Sequence, residues 1–199
     1  MFEELDILFQ SSTIRPTFEK VHVLLALFIF DENRDGIGRY RLQKELLIGE
    51  GTAKSLIKKL NKNIKFIKVK DERKRKGHFL TEEGLEYLNK IKKFIPIIKE
   101  GKSSILKDII IETEIIFTYF CLIRNAVYKI SNGVSQRDAA IKVSGSGATC
   151  LVFNGKDLIF PSKSHLEYNM VVNKTLHTYF ESELSNENIK LEKNDVIAI

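Results

Sequence analysis

Residues 39–94 order their apolar and basic positions in a way that few folds accept. Arg39–Leu47 reads as a short helix, Ile48–Gly51 as a tight turn and Thr52–Lys62 as a second helix. In that second helix Ala53, Leu56, Ile57 and Leu60 recur at i, i+3, i+4 and i+7, the spacing of one buried face. The opposite face carries Gly51, Lys54, Ser55, Lys58 and Lys62. It is cationic, and short-chained near its start, as entry into a major groove requires. Two helices joined by so short a turn read as a helix–turn–helix.

Phe66–Lys70 then alternates apolar and basic residues, as a half-exposed strand does. Asp71–Gly77 is a charged turn with Gly77 placed for a positive φ, and His78–Leu80 reads as the returning strand. Thr81 can cap a helix Glu82–Phe94 that has Glu82 and Glu83 in its first turn and Lys90, Lys92 and Lys93 in its last. Helix, turn, helix, basic hairpin and helix, in that order, resemble a winged helix-turn-helix domain over residues 14–97. The run GEGTAKSLIKKL, followed by the hairpin and FLTEEG, is similar to the recognition helix and wing of that superfamily in prokaryotic regulators.

The charge distribution points the same way. Residues 13–97 hold 20 Lys+Arg against 11 Asp+Glu, whereas residues 98–199 hold 12 of each sign. The acidic start, residues 1–12, offsets the rest to leave a net charge of +6. A positive field confined to one half suits a module for a polyanion joined to something with another partner. A lysine-rich helix face is often only a solvated face. The hairpin weighs against that here, because Lys68–Lys76 packs six cations against two anions and gains from a neutralising partner. The candidate contacts to double-stranded DNA are Arg39, Arg41, Thr52, Lys54, Ser55, Lys58 and Lys59 on the helices, and Lys70, Arg73, Lys74, Arg75, Lys76 and His78 on the wing.

Other function classes find less support. The apolar run Val21–Phe30 spans ten residues, half of what a membrane-crossing helix needs, and reads as the buried first helix, entered through Pro16. No membrane partner is expected. Cys121 and Cys150 have no metal-ligand spacing and read as reduced core residues of a cytoplasmic protein, though sequence leaves a disulfide between them open. No metal site, cofactor or catalytic residue is expected. His22 reads as a helix-edge or core residue, Ser164-His165 and His177 lack a triad arrangement, and Glu112 with Glu114 reads as a solvated strand edge.

The organisation expected is α+β: a segment 1–13, a winged helix-turn-helix domain 14–97 and a mixed α/β domain 98–199. Pro96 and the stretch Gly101–Ser104 mark the linker within Ile95–Ser104. Ile105–Glu112 and Ile115–Ile123 are β-branched and aromatic, as strands are. Gln136–Val143 reads as a short helix capped by Ser135. Ala148–Phe153 and Leu158–Phe160 form a hairpin around the Asn154-Gly155 turn signal, Leu166–Leu184 a long helix, and Val196–Ile199 a last strand.

The polar stretch Asn132–Thr149 is the candidate ligand site of this half. Gln136, Arg137, Asp138 and Lys142 lie beside Ser144, Gly145, Ser146 and Gly147, where exposed backbone N–H groups and two cations would suit a small anionic effector. The winged half together with the segment NGVSQRDAAIKVSGSGATCLVFNGKDLIFP resembles a family of small archaeal proteins regarded as transcriptional regulators, with a C-terminal domain of unknown function. That resemblance implies a regulator and carries no catalytic residue. The expected function is therefore a DNA-binding regulator whose second domain senses a ligand or forms a homodimer. The alternatives are a regulator fused to an enzyme acting on a nucleotide or phosphate ester, and a module that binds RNA or protein.

Overall fold

The structure is a computed structural model that describes residues 2–10, 16–69, 77–110, 117–143, 145–162 and 170–199. The chain divides into two compact units, Met1–Lys90 and Ile91–Ile199. The fold is α+β, with helices dominating the first unit and an antiparallel sheet the second.

The first unit is built on α1 (Lys20–Glu32), α2 (Arg39–Glu45) and α3 (Glu50–Lys62). Helix α1 begins at Lys20, four residues beyond Pro16, and the Glu19 N–H is taken by His22 Nδ1 at 2.9 Å. His22 is thus a helix-edge residue. Helix α3 starts two residues earlier than its apolar period indicates, with Gly49 as its N-cap, and buries Ala53, Leu56, Ile57 and Leu60. The short strands β1 (Ile67–Val69) and β2 (His78–Leu80) pair antiparallel, with Lys68 opposite Phe79.

Ile37, in the turn before α2, adds a third strand position to this hairpin. Its N–H and C=O exchange bonds of 2.9 Å with His78. This explains Gly77 differently from the sequence reading. A Cβ there would stand 2.5 Å from the Ile37 carbonyl carbon, so the requirement is close backbone approach rather than a positive φ. Thr81 caps α4 (Glu82–Phe94) as its sequence indicates, accepting from the Gly84 N–H at 3.1 Å and donating to Lys65 O at 2.7 Å.

The acidic N-terminus belongs to this unit. Glu3–Leu8 forms a 3-10 helix with Leu5 and Leu8 fully buried. Asp6 pairs with Lys20 at 2.6 Å and Glu4 with Lys90 at 3.4 Å.

The second unit is a five-stranded antiparallel sheet of β3 (Ile97–Glu100), β4 (Tyr119–Ile123), β5 (Cys150–Phe153), β6 (Leu158–Ile159) and β7 (Val196–Ala198), ordered β3-β4-β7-β5-β6. Two short helices, α5 (Ser103–Leu106) and α6 (Val134–Lys142), and the longer α7 (Lys174–Ser185) complete it. Phe120, Leu122, Leu151 and Ile197 on one sheet face meet Leu176, Phe180 and Leu184 of α7 and Leu106 of α5 in a continuous core.

Several sequence expectations change here. The stretch Ile95–Ser104 is not a linker but contains β3 and the start of α5. The described part of the Ile105–Glu112 stretch, residues 105–110, does not run as a strand. Lys102 N–H donates to Tyr179 Oη at 2.9 Å and Leu106 enters the core, so packing overrides the β-branched composition. Helix α6 begins at Val134, with Gly133 rather than Ser135 as its N-cap. Helix α7 starts only at Lys174, where Asn173 Oδ1 accepts the Leu176 N–H at 2.9 Å. Before it, Val171 bridges to Ile159 of β6. The Asn154-Gly155 turn forms as its signal indicates, with Gly155 at φ +102° and Asn154 Oδ1 accepting the N–H groups of Lys156 and Asp157.

Registers place Cys121 and Cys150 on either side of Ala198 in one row of the sheet. Two strand spacings put their backbones about 10 Å apart, beyond the ~7 Å a disulfide can bridge. The disulfide left open by the sequence does not form. Burial pushes the Cys150 thiol up to about 11 and raises that of Cys121 as well, so both stay protonated at neutral pH.

Candidate nucleic-acid interface

Helix α3 divides its residues by angle. With its apolar positions buried and the helix packed on α2 and β1, Lys54, Lys58 and Lys62 project to solvent, and Ser55 is half-buried beside them. Lys54 and Lys58 are one turn apart, about 6 Å. Neither has an ion-pair partner among the described residues. Exposed Gly51 keeps the first turn low, and a side chain there would meet nothing within 4 Å.

The remaining candidates are dispersed. Arg39 braces α2 to α3 by pairing with Glu50 at 3.0 Å, and its guanidinium lies 4.8 Å from the exposed Tyr40 ring. Arg41 pairs with Glu45 at 2.7 Å on the exposed side of α2. Thr52 shares a 2.7 Å hydrogen bond with Thr17. Lys59 stands apart from the Lys54–Lys58 face. It is half-buried, and its ammonium donates to the Leu8 carbonyl, tying α3 to the N-terminal segment. Period alone cannot show this, because the partner is 51 residues away.

On the hairpin, Lys68 is exposed with its ammonium 5.6 Å from the Phe79 ring centroid. The alternation of Ile67 and Val69 with Lys68 and Lys70 is the signal that marks it. Tyr40 was not singled out by the sequence reading, although the Arg-Tyr-Arg triplet places it between two cations at the start of α2. Lys70, Arg73, Lys74, Arg75 and Lys76 lie outside the described residues, as do Ser144, Ser164, His165, Glu112 and Glu114.

His78 is half-buried at the base of the hairpin, and its Nδ1 has no hydrogen-bond partner among the described residues. Desolvation lowers its pKa. A lowered folded-state value means that the unfolded chain takes up the proton first as pH falls. Stability contributed by neutral His78 is therefore present above the unfolded value near 6.5 and is lost as pH falls below it. Urea midpoints of the first unit should drop between about pH 7.5 and 5.5, and His78→Gln should flatten that drop. Equal pH dependence in the two proteins would remove His78 as its source.

The second unit's candidate ligand stretch has a different geometry from a cradle. Arg137 turns its guanidinium onto the neighbouring Asp138, at 3.0 Å from Nε and 2.8 Å from Nη2. The Gly145 N–H is spent on Ala140 O at 2.9 Å, closing the end of α6. Lys142, Ser146 and Gly147 are exposed, and Gln136 is half-buried. Gly147 lies against Arg137, where an added Cβ would be 3.7 Å from its Cγ. The backbone donor expected at Gly145 is thus occupied from within.

Among the described residues no helix is long and apolar enough to cross a membrane. Residues 18–86 match a family model described as PH0730-like, N-terminal domain, and residues 116–199 match one described as a domain of unknown function, DUF4443. No match was found among curated proteins. Among solved structures the chain is similar to "Hypothetical protein PH0730 from Pyrococcus horikoshii OT3". Identity is 20%, the alignment covers 91% of this chain and 81% of that one, and the TM-score is 0.62. At that identity the likeness bears on the fold. These matches agree with the expected resemblance to archaeal proteins carrying a C-terminal domain of unknown function, and none of them names a regulator.

Proposed function

We propose that this protein is a transcriptional regulator whose first unit binds double-stranded DNA through α3 and the β1–β2 hairpin. The observation that carries this reading is the outward face of α3. Lys54, Ser55, Lys58 and Lys62 share it, Gly51 opens its first turn, and the lysines at 54 and 58 have no ion-pair partner among the described residues. A helix held by its apolar face with a short, cationic leading edge can enter a major groove, while the hairpin follows the adjacent backbone. Residues 98–199, with 12 charges of each sign, supply no comparable field.

The reading is tested by a salt titration of the full chain on duplex DNA followed by fluorescence anisotropy. Phosphate neutralisation releases counterions, so log K should fall linearly with log salt, at about −0.9 per contact. Five contacts, from the three α3 lysines, Lys68 and one wing cation, would give a slope of about −4.5. A selection from random duplexes should then return a recurring motif. Absence of binding at about 50 mM salt, or equal preference for RNA duplex, would turn the reading toward an RNA or protein module.

A further inference from the structure

Helix α6 keeps its two large apolar residues on the outside. Gln136 and Ala140, one turn apart, are its half-buried positions, whereas Val134 is 38% exposed and Ile141 51% exposed. Not one of its nine residues is buried. A surface helix ordinarily turns its apolar stripe inward. A nine-residue helix is also too short to persist on its own propensity and relies on packing. Two exposed apolar residues on one face of such a helix call for a cover.

The stripe itself says what covers it. At 100° per residue Val134, Arg137, Asp138 and Ile141 fall on one face, in the order apolar, cation, anion, apolar. That order is complementary to its own reverse. We infer that α6 is the contact between two copies of this chain, packed antiparallel about a two-fold axis between Arg137 and Asp138. Val134 of each copy then meets Ile141 of the other. Arg137 of each copy faces Asp138 of the other, exchanging the pairing within one chain, now at 2.8 Å, for one across the axis. An isologous interface requires this reciprocity, and an unrelated partner would have no reason to match it. The inference does not depend on DNA binding, since it concerns a different unit and is read by a different measurement.

A single helix pair buries less than the ~1,200 Å² typical of stable complexes, so a dissociation constant of about 10–100 µM is expected. Sedimentation equilibrium on the full chain should show a monomer–dimer equilibrium in that range. Ile141→Glu should weaken it by at least ~10-fold, the scale of losing an apolar interface contact. Arg137→Asp and Asp138→Arg should each also weaken it, because each sets like charges face to face across the axis. Mixed in equal amounts, those two variants should recover association as a heterodimer, since every facing pair is again of opposite sign. All three positions are exposed, so the fold should survive, and circular dichroism would confirm it. A chain monomeric to about 300 µM, an association indifferent to Ile141→Glu, or a charge-swapped mixture that stays monomeric would each overturn the inference.

Discussion

Replacing Lys54 and Lys58 together with glutamate is expected to lower affinity for the selected DNA by at least ~100-fold, since each base-reading contact is worth about 1–3 kcal/mol and reversal adds repulsion from phosphate. The fold should be untouched. Both side chains are solvent-exposed on α3, neither has an ion-pair partner among the described residues, and glutamate forms helix about as well as lysine. The loss should appear both as weaker binding and as a salt slope reduced by about 2. Lys142→Glu is the control, because Lys142 is equally exposed but lies on α6 of the second unit. It changes net charge by half as much, and it should leave DNA affinity nearly unchanged. Binding as tight as wild type, with an unchanged slope in the folded double variant, would mean that α3 is not the reading helix.

The parts of this site that were legible in sequence are those fixed by local period and turn chemistry. The buried set Ala53, Leu56, Ile57 and Leu60 followed from helical spacing, and the same spacing assigned Lys54 and Lys58 to the opposite face. The cap that Thr81 gives Gly84 and the turn that Asn154 closes act over two or three residues, within reach of a sequence reading. What was not legible depends on partners distant along the chain. Lys59 sits one residue from Lys58 yet is drawn to Leu8 O, and nothing local distinguishes the two. Ile37 contributes a single strand position, too short for any alternation to show, and Gly77 takes its meaning from Ile37 alone. Over the described residues 105–110 the strand expected for Ile105–Glu112 does not form, because a β-branched run states only a preference, which the Lys102–Tyr179 bond and the burial of Leu106 outweigh. The inverted face of α6 also needed the structure, since sequence gives a helix its stripe but not its orientation.

Asp195→Ala should be the most damaging single substitution in the second unit, at about 3–4 kcal/mol. Asp195 is 1% exposed and its two carboxylate oxygens are fully engaged. One oxygen holds Arg124 Nη1 at 2.6 Å and the Glu192 N–H at 2.9 Å, and the other accepts the Asn125 N–H at 3.0 Å. The carboxylate thereby joins the residues following β4 to the turn that leads into β7, the central strand of the sheet. It also holds Asn125 in the left-handed region, at φ +46°, where a non-glycine residue needs support. Alanine would leave two N–H groups without an acceptor and a guanidinium with only Lys190 O, at 2.7 Å, and the more distant Glu192. The Arg124 side chain keeps 20% of its exposure, so water can relieve part of that cost, which places the estimate below the upper end for buried pairs. Asn should cost less than Ala, because its carbonyl still serves one N–H while the charge is lost. Hydrogen exchange reads the effect strand by strand. Amides of β4, β5 and β7 should exchange roughly 100-fold faster in Asp195→Ala, the equivalent of about 3 kcal/mol. Protection of those strands equal to wild type would show that the sheet, not this carboxylate, sets the geometry of the turn.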